Sequence, residues 1–375
     1  MNIEPFGVEL WMNEFETRCD FNLAETCVES ITVEELLNLA GKTSDSIRDV
    51  LSMKMTYGDI EGSNRLRHAI ASLYSDQSAD NTLVTHGTIG ANSLVHQTLV
   101  SSGDRVVAVV PTYQQHYSIP QSIGADVHQL KLSAENRFLP DLDQLSSLAT
   151  AGTRLIAITN PNNPTGSLMA RGYLEEIVSI ARNVGAWILS DEVYRGLDQE
   201  GSGTTVSVAD IYERGISTAS MSKAFSLAGL RLGWIVAPEQ VIEDVMIHRD
   251  YNTISVGMID DHLACLALEN KDRILERSRE ITRTNLSILS DWVENETGIS
   301  WIRPQSGTTC LLKYDLDIPS RALCIELLEE TGVMLTPGSV LQMEGHVRIG
   351  FANSSETLRE GLALMSKFLR DKSSQ

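Results

Sequence analysis

Long hydrophobic runs, paired cysteines and clustered positive charge are all missing from this chain of 375 residues. No apolar run reaches the roughly 20 residues that span a bilayer, so we expect no membrane partner. The five cysteines are an odd set without a CxxC spacing, and the eight histidines show no metal spacing, which argues against a disulfide framework or a metal site. The N-terminal residues carry acid rather than base and form no signal-peptide core, so we expect a cytoplasmic protein with reduced thiols.

Acidic residues outnumber basic ones by 50 to 30, which gives a formal net charge of −20. Nucleic-acid binding needs clustered Lys and Arg that replace the counterions of phosphate, so we expect no nucleic-acid partner. The same charge is compatible with attraction of a cationic substrate, although solubility alone explains most acidic surfaces.

Apolar, β-branched runs alternate with helical periodicity through the middle of the chain. The runs 105–110, 154–159 and 186–190 are predicted strands, and the stretch 173–183 is a predicted amphipathic helix. This alternation predicts an α/β fold with a mostly parallel sheet and helices on both faces. Ligands of such sheets bind outside the carboxyl ends of the strands.

The sequence changes character after about residue 275. A charged helical stretch at 271–297 leads to strand-like runs at 309–313 and 346–350 and a final helix at 356–369, which predict a smaller α+β domain. We therefore predict an N-terminal segment, 1–45, that packs with this small domain, a large domain at 46–275 and the small domain at 276–375. Within the N-terminal segment, Thr32 and Glu35 form a predicted capping box for a helix through Leu39.

The run around Lys223 is the most informative part of the chain. This lysine lies between small hydroxyl residues, Ser220 and Ser222 among them, and Arg231 follows eight positions later in a Gly-flanked apolar stretch. The pattern suggests a buried amine beside an anion site, and a Schiff-base lysine needs a pKa lowered by desolvation or nearby positive charge. The run resembles the lysine motif of pyridoxal 5'-phosphate (PLP) enzymes of the aspartate aminotransferase superfamily, fold type I. The resemblance implies a seven-stranded sheet, a Schiff base between Lys223 and the cofactor, and a phosphate site at Ser220, Ser222 and Arg231.

Three other segments resemble the ring-binding motifs of that superfamily. Asp191 and Tyr194 match a D-E-x-Y motif, whose aspartate pairs with the ring nitrogen and whose tyrosine binds the phenolic oxygen. Without the resemblance, a strand-end Asp would more simply be a helix cap. The run 160–166 resembles the most specific signature of the family, which places Asn163 at the phenolic oxygen. Tyr113 follows a predicted strand and matches the aromatic residue that stacks on the ring.

The Gly-rich run 85–92 precedes a predicted helix at 93–100. Backbone N–H groups at such a turn make a site for an anion. The run is similar to the phosphate-binding turn of the family, so Gly87, Thr88 and Ile89 are expected to bind the cofactor phosphate. The usual motif has Ser or Thr where this chain has Ile89.

Two further matches concern the subunit interface and the substrate. Tyr57 begins a segment that resembles the family pattern Y-x(4)-G-x(3)-L-R, in which the tyrosine reaches the phosphate of the neighbouring subunit. A homodimer with shared active sites is therefore implied. Arg348 lies in a predicted strand and matches the arginine that binds the substrate α-carboxylate, a role that suits a bidentate guanidinium.

The resemblance implies a ping-pong aminotransferase that acts on an L-amino acid and a 2-oxo acid, with Lys223 as the base at Cα and Asp191 keeping the ring charged. The alternative is an elimination or cyclisation enzyme, similar to capreomycidine synthases that act on hydroxyarginine derivatives. A PLP-binding transcription regulator would need a DNA-reading domain and a basic face, for which this acidic chain has no room.

The N-terminal segment departs from the family pattern. Relatives commonly have a glycine near the substrate where this chain has Ala24 and Glu25. Glu9, Asp59 and Glu61 are further acids that the fold could bring to the pocket. We hypothesise that one or more of these carboxylates binds a cationic or guanidino side chain; for each taken singly, a solvated surface position is the alternative.

Overall fold

The structure, a computed structural model, describes residues 2–43 and 47–373. The predicted domain boundary between residues 45 and 46 lies outside the described residues. The helices are α1 (Gly7–Phe15), α2 (Val33–Leu39), α3 (Arg48–Leu51), α4 (Asn64–Ala71), α5 (Gly87–Leu99), α6 (Gln115–Ile123), α7 (Leu142–Leu148), α8 (Arg171–Val184), α9 (Glu239–Arg249), α10 (Met258–Glu269), α11 (Lys271–Asn295), α12 (Ser320–Thr331) and α13 (Ser355–Ser373). The strands are β1 (Phe21–Asn22), β2 (Thr82–Thr85), β3 (Arg105–Val110), β4 (Asp126–Lys131), β5 (Thr153–Thr159), β6 (Trp187–Asp191), β7 (Gly215–Ser220), β8 (Gly233–Val236), β9 (Ile299–Trp301), β10 (Thr309–Tyr314), β11 (Val333–Met334), β12 (Thr336–Pro337) and β13 (His346–Gly350).

A seven-stranded sheet in the order β2-β8-β7-β6-β5-β3-β4 forms the centre of the molecule. Strand β8 pairs antiparallel with both of its neighbours, and the pairs from β7 to β4 are parallel. The predicted strands at 105–110, 154–159 and 186–190 are confirmed as β3, β5 and β6, with ends that agree within one residue. The mostly parallel α/β fold is confirmed as well.

Helices cover both faces of this sheet because successive strand residues point to opposite sides. On one face, Val107 of β3 and Ile156 of β5 pack in a cluster with Leu174 and Ile177 of α8. On the other face, the neighbouring residue Val106 packs in a cluster that contains α5 and α9 side chains. Burial on both faces explains why these strands are continuous apolar runs in the sequence.

The C-terminal third builds a second, smaller sheet in the order β12-β13-β10-β9. Its core cluster joins buried side chains of α11, α12 and α13 to Trp11 and Phe15 of α1. Strand β1 pairs with β11 in parallel, so the N-terminal segment packs against C-terminal elements. The predicted helix at 33–39 and its capping box are confirmed. The domain boundaries stay a prediction.

The predicted start of the helix at 93–100 is wrong: α5 begins at Gly87. Glycine-rich sequence normally indicates a turn, but here Gly90 N donates to His86 O and closes the first helical turn. Gly87 has a φ of +66°, which permits the sharp entry from β2. The helix therefore points its free N–H groups at the sheet edge. Within the described ranges, no helix combines the length and apolar composition that crossing a bilayer requires.

Candidate active site

A cavity of about 340 Å³ lies at the carboxyl ends of three neighbouring parallel strands. Thr159, Asp191 and Ser220 are the last residues of β5, β6 and β7, and all three line it. The residues predicted from the sequence that line this cavity are Glu9, Ala24, Glu25, Thr88, Ile89, Tyr113, Asn163, Asp191, Tyr194, Ser220, Ser222, Lys223, Arg231 and Arg348. Residues far apart in the chain thus meet at one edge of the sheet, as the strand topology predicts.

Of the residues predicted to bind the cofactor, Gly87 and Tyr57 do not line the cavity. Gly87 lies beside the cavity: a Cβ on this residue would be 3.2 Å from Nη2 of Arg231, and Arg231 lines the cavity. Tyr57 is 79 % exposed and lies outside the cavity of its own chain.

Lys223 follows β7 and reaches into the cavity from the sheet edge. Its Nζ donates to Thr26 Oγ1 at 2.6 Å and to Cys27 Sγ at 3.3 Å, and lies 4.0 Å from Glu25 Oε1. Burial lowers the pKa of this amine, but the nearby Cys27, Tyr194 and Glu25 outweigh burial and raise it. The predicted lowering of the Lys223 pKa is therefore not found, because the N-terminal loop surrounds the amine with groups that stabilise its proton.

Asp191 is held rigidly at the end of β6. Its Oδ2 accepts a hydrogen bond from Asn92 Nδ2 at 2.9 Å, and its Oδ1 accepts one from Val193 N at 3.2 Å. Asn92 is fixed in turn, since its Oδ1 accepts from Thr218 Oγ1 at 2.6 Å. His116 Nε2 lies 3.7 Å from Asp191 Oδ2 in a fully buried position. A carboxylate placed this way can pair with one cationic group in the cavity.

Arg348 connects Asn163 to the loop that follows β1. Its Nη1 donates to Asn163 Oδ1 at 3.2 Å, and its Nη2 donates to Ala24 O and Thr336 Oγ1, both at 3.1 Å. Asn163 Nδ2 donates to the Tyr194 hydroxyl at 3.3 Å. Arg348 is only 3 % exposed, and its Nε is buried without a hydrogen-bond partner in the described part of the chain. Burial lowers the pKa of this guanidinium, which an anionic ligand would compensate.

The N-terminal end of α5 forms a cradle for an anion. Thr88 Oγ1 is buried there and has no hydrogen-bond partner among the described residues. A Cβ on Gly233 would lie 2.4 Å from Gly87 C and 2.6 Å from Thr88 N, so only a glycine lets β8 approach the turn this closely. The free amides, the Thr88 hydroxyl, Ser222 and Arg231 together suit a phosphate group. These donors, with Lys223 beside them, fit PLP.

The N-terminal helix and loop form the opposite wall. The Tyr113 hydroxyl donates to Glu9 Oε1 at 2.7 Å, and the ring of Phe6 lies 4.7 Å from that of Tyr113. Glu25 Oε1 accepts from the amides of Thr26 and Cys27 at 2.6 and 2.8 Å. Burial alone would raise the pKa of Glu25, but Lys223 and these amide donors outweigh it and lower the pKa.

Among the cavity residues that sequence reasoning missed are Glu16, Thr26, Cys27 and Asn92. Thr26 and Cys27 follow Glu25 directly, and Glu16 lies just after α1. Asn92 lies inside α5, on a buried face that also carries Thr88 and His96, and three polar residues at a spacing of four were the available signal. Burial raises the pKa of Glu16, and the negative charges of Glu25 and Glu9 raise it further. Glu16 therefore interacts electrostatically with the other two glutamates.

The other two acids named from the sequence lie elsewhere. Asp59 and Glu61 do not line the cavity. Glu61 instead forms an ion pair with Arg67, at 2.7 Å between Oε2 and Nη1. Local sequence showed that these residues were acidic but not which way they faced.

Comparisons with known proteins agree with this site. Residues 40–363 match the family model of aminotransferase class I and II. A PLP-dependent aminotransferase from Streptococcus suis superposes with a TM-score of 0.96 at 42 % identity, with 99 % of each chain covered. Capreomycidine synthase of Streptomyces vinaceus is 28 % identical over 96 % of this chain and 93 % of its own. Arginine–pyruvate transaminase of Pseudomonas aeruginosa is 28 % identical over 84 % of this chain and 82 % of its own.

The predicted family, fold type and cofactor are confirmed by these matches. The chain belongs to the class I and II aminotransferase family and is a fold type I enzyme whose cofactor is pyridoxal 5'-phosphate.

Proposed function

We propose that the protein transfers the amino group of an L-amino acid to a 2-oxo acid in a ping-pong reaction. The observation that carries this proposal is the meeting of Lys223, Asp191 and Arg348 in one cavity. These side chains supply an amine, a carboxylate and a guanidinium, which are the groups that an amino-acid substrate and a pyridine ring require.

Each part of the cofactor has a candidate ligand. Lys223 would hold it covalently, and Asp191 would pair with the ring nitrogen. The remaining ligands we propose are Tyr194 and Asn163 for the phenolic oxygen, Tyr113 for the ring face, and Gly87, Thr88, Ile89, Ser220, Ser222 and Arg231 for the phosphate. Bound PLP supplies an electron sink that stabilises negative charge at the substrate Cα.

The chain's own residues bind the substrate and move its proton. Arg348 is placed to bind the α-carboxylate, because its guanidinium is buried at the cavity wall with Nε unpaired among the described residues. The amine of Lys223 is placed to take the Cα proton as a general base, in the neutral form in which its covalent bond to the cofactor would release it. The neighbours that raise its pKa would then stabilise the proton that it has taken. The hydrogen bonds to Thr26 and Cys27 hold that amine at the cavity when it is free.

We further propose that the substrate side chain is cationic or carries a guanidino group. Two sequence-predicted carboxylates, Glu9 and Glu25, line the cavity. The relative from Pseudomonas aeruginosa is an arginine–pyruvate transaminase, which supports the same class of substrate.

A second candidate is elimination or cyclisation of a hydroxyarginine-like substrate. The likeness to capreomycidine synthase over 96 % of this chain favours it. Both reactions would begin with the same proton transfer to Lys223, because they differ only in the steps after the Cα proton has been removed. Such an enzyme would need no 2-oxo acid.

One experiment separates the two reactions. The PLP-loaded enzyme is mixed with an amino-acid panel that includes arginine, ornithine, lysine and hydroxyarginine, without any 2-oxo acid, and the 2-oxo acid released is measured. An aminotransferase releases an amount stoichiometric with its active sites and then stops until a 2-oxo acid is added. Continued turnover that releases water, ammonia or a cyclised product would refute transamination and support the second candidate.

The homodimer with shared active sites is also proposed. Tyr57, Leu51 and Met55 are 79 %, 77 % and 68 % exposed and lie in one segment. A Cβ on Gly58 would lie 3.3 Å from Val256 O, so this segment adjoins the one that follows Tyr251, which is 93 % exposed. A contiguous apolar surface of this kind suits a second copy of the chain. The cytoplasmic localisation stays a prediction.

Mixing two inactive variants tests this arrangement. In a dimer in which Tyr57 serves the partner's site, a hybrid of the Lys223→Ala and Tyr57→Ala chains contains one site with both residues intact. We expect activity to reappear on mixing and subunit exchange. A monomer by sedimentation, or no recovery from a hybrid shown to form, would contradict the proposal.

A further inference from the structure

We infer that helix α1 determines side-chain specificity: Glu9 binds the cationic end of the substrate, and Glu16 adds negative charge at the cavity mouth. This inference rests on the proposed function and deepens it by assigning the substrate class to particular residues. Val8, Glu9 and Met12 of α1 line the cavity, and so does Glu16, the first residue after the helix. Glu9, Met12 and Glu16 are spaced by three and four residues, which places them on one face of the helical backbone.

The charged residues of the cavity indicate that its ligand carries a cation near the glutamates. Three cationic side chains line it, Lys223, Arg231 and Arg348. In the proposed reaction each has a partner of its own, namely the carbonyl carbon of the cofactor, its phosphate and the substrate α-carboxylate. Asp191 likewise pairs with the ring nitrogen. Of the three glutamates of the cavity, Glu25 lies 4.0 Å from Lys223, whereas Glu9 and Glu16 have no cationic partner among the described residues. Carboxylates in a partly desolvated cleft are stabilised by a cation.

Arg348 supplies a second, independent sign of a ligand. It is 3 % exposed and lines the same cavity, and its Nε has no hydrogen-bond partner within the described ranges. An unpaired buried donor of this kind calls for a hydrogen-bond acceptor, and beside a guanidinium the strongest acceptor is a carboxylate. A ligand that satisfies both Arg348 and the glutamates carries a carboxylate at one end and a cation at the other.

Glu9 is better placed than Glu25 to bind that cation. Glu25 Oε1 already accepts two backbone amides and lies 4.0 Å from Lys223 Nζ, so its charge is compensated locally. Glu9 accepts one bond, from the Tyr113 hydroxyl at 2.7 Å, through Oε1. Its Oε2 has no donor among the described residues. Because Tyr113 is the proposed ring-stacking residue, this bond also fixes Glu9 beside the cofactor.

Helix α1 is anchored firmly enough to position these carboxylates. Gly7 N donates to Gln114 Oε1 at 2.8 Å, and Gln114 Nε2 donates to Pro5 O at 2.9 Å. The buried Trp11 donates from Nε1 to Leu335 O at 2.9 Å. The helix is thus tied to the loop between β3 and α6 and to the C-terminal elements, which gives its side chains a defined position over the cavity.

The test compares two ligands that cannot react because they lack an amino group. 5-Guanidinopentanoate has the carboxylate and the guanidinium of arginine, and 5-ureidopentanoate is its neutral counterpart. Binding of each to the PLP-loaded enzyme is measured by calorimetry for the unmodified protein and for Glu9→Gln, Glu16→Gln and Glu14→Gln. Glutamine keeps an acceptor for Tyr113 and removes only the charge.

We expect the unmodified enzyme to prefer the guanidino ligand, and Glu9→Gln to reduce that preference by about tenfold or more. Glu16→Gln should reduce it by a smaller factor, because Glu16 is exposed to solvent and its charge is screened. Glu14 is the matched control: it belongs to the same helix but pairs with Arg321 at 3.2 Å and does not line the cavity. Glu14→Gln should leave the preference unchanged.

The outcomes separate this inference from the proposed function. No preference in the unmodified enzyme overturns the inference, and so does a preference that survives both Glu9→Gln and Glu16→Gln. If the preference depends on Glu9 but no amino acid releases a 2-oxo acid, the proposed transamination fails and the inference stands. If neutral amino acids release 2-oxo acid and the preference is absent, transamination stands and the inference fails.

Discussion

The two ends of the cavity are built in different ways. The cofactor end, defined here by Thr88, Asn163, Asp191 and Lys223, is formed by residues at or just after the carboxyl ends of sheet strands. The side-chain end, defined by Glu9, Met12 and Glu16, is formed by α1 and the residue that follows it, outside the central sheet. The proposed chemistry thus lies at the edge of the central sheet, and the proposed specificity lies on a helix outside it.

Burial and hydrogen bonding differ accordingly. Asp191 is 4 % exposed and both of its carboxylate oxygens are bonded, whereas Glu9 is half-buried and Glu16 exposed. A group that must keep one geometry through every turnover needs such fixed neighbours. A residue that binds the substrate side chain can be substituted without disturbing the fixed neighbours of Asp191. One fold can in this way accommodate different substrates.

Lys223 carries the proposed proton transfer, so its substitution should have the largest effect on the reaction rate. Lys223→Ala removes the amine that takes the Cα proton in the proposed reaction, and we expect the single-turnover rate to fall by about 10²–10⁴-fold or more. Rapid-quench measurement of 2-oxo acid release checks this. The matched control is Lys271→Ala, since Lys271 Nζ donates to Ser72 O at 2.8 Å on the surface. A Lys223→Ala enzyme within tenfold of the unmodified rate would remove the lysine from the proposed mechanism.

Arg348→Lys breaks the connection between Asn163 of the cofactor end and Ala24 of the N-terminal segment. A lysine keeps the charge but cannot make the several bonds that the guanidinium makes to Asn163, Ala24 and Thr336. We expect kcat/KM to fall by a factor equivalent to about 2 kcal/mol or more, with KM rising more than kcat falls. Steady-state kinetics measure the split, and Arg303→Lys on the exposed surface is the control. A change confined to kcat would contradict carboxylate binding by Arg348.

Gly233→Ala disturbs the cofactor end alone. Its new methyl group would lie 2.4 Å from Gly87 C, and backbone on both sides leaves no easy relief, so we expect a destabilisation of about 1–3 kcal/mol. PLP affinity should fall with it, because the amides of the cradle move. Titration of the apoenzyme with PLP and thermal unfolding check both effects. Gly229→Ala is the control, since a Cβ there meets nothing within 4 Å; equal PLP affinity in both variants would contradict the cradle.

Thr32→Ala tests whether the N-terminal segment can be destabilised without a change in the reaction kinetics. We expect this substitution to have the smallest effect of those described here. Thr32 Oγ1 accepts from Glu35 N at 3.1 Å, and loss of such a cap costs about 1 kcal/mol of folding free energy. Urea unfolding should show this loss for Thr32→Ala and not for Thr32→Ser, with unchanged kinetics in both. Altered kinetics in Thr32→Ala would show that the capped helix and the cofactor end are coupled.

Most of the cofactor end could be predicted from sequence because its residues lie in short motifs that follow recognisable strands. Asp191 ends a buried apolar run, and Asn163 lies in a distinctive run after another. Strand periodicity places such residues at the sheet edge without knowledge of any distant contact. The start of α5 was mispredicted because the conformation of Gly87 is set by its approach to β8, which local sequence does not report.

The side-chain end depends on contacts between residues more than a hundred positions apart, such as Tyr113 with Glu9 and Arg348 with Ala24. Nothing in the local pattern separates Glu9, which faces the cavity, from Glu61, which pairs with Arg67. Local sequence likewise does not report the pKa of Lys223, because the three neighbours that raise it are brought to the amine only by folding.

The sequence by itself determined the alternation of strands and helices, the family motifs and the identity of the cofactor, because periodicity and contiguous motifs are local properties of the chain. Only the tertiary structure decided which carboxylates line the cavity, how Asp191 and Lys223 are held, and where α1 lies. Those features arise from packing and electrostatic contacts between distant segments, and the folded chain alone brings these segments together.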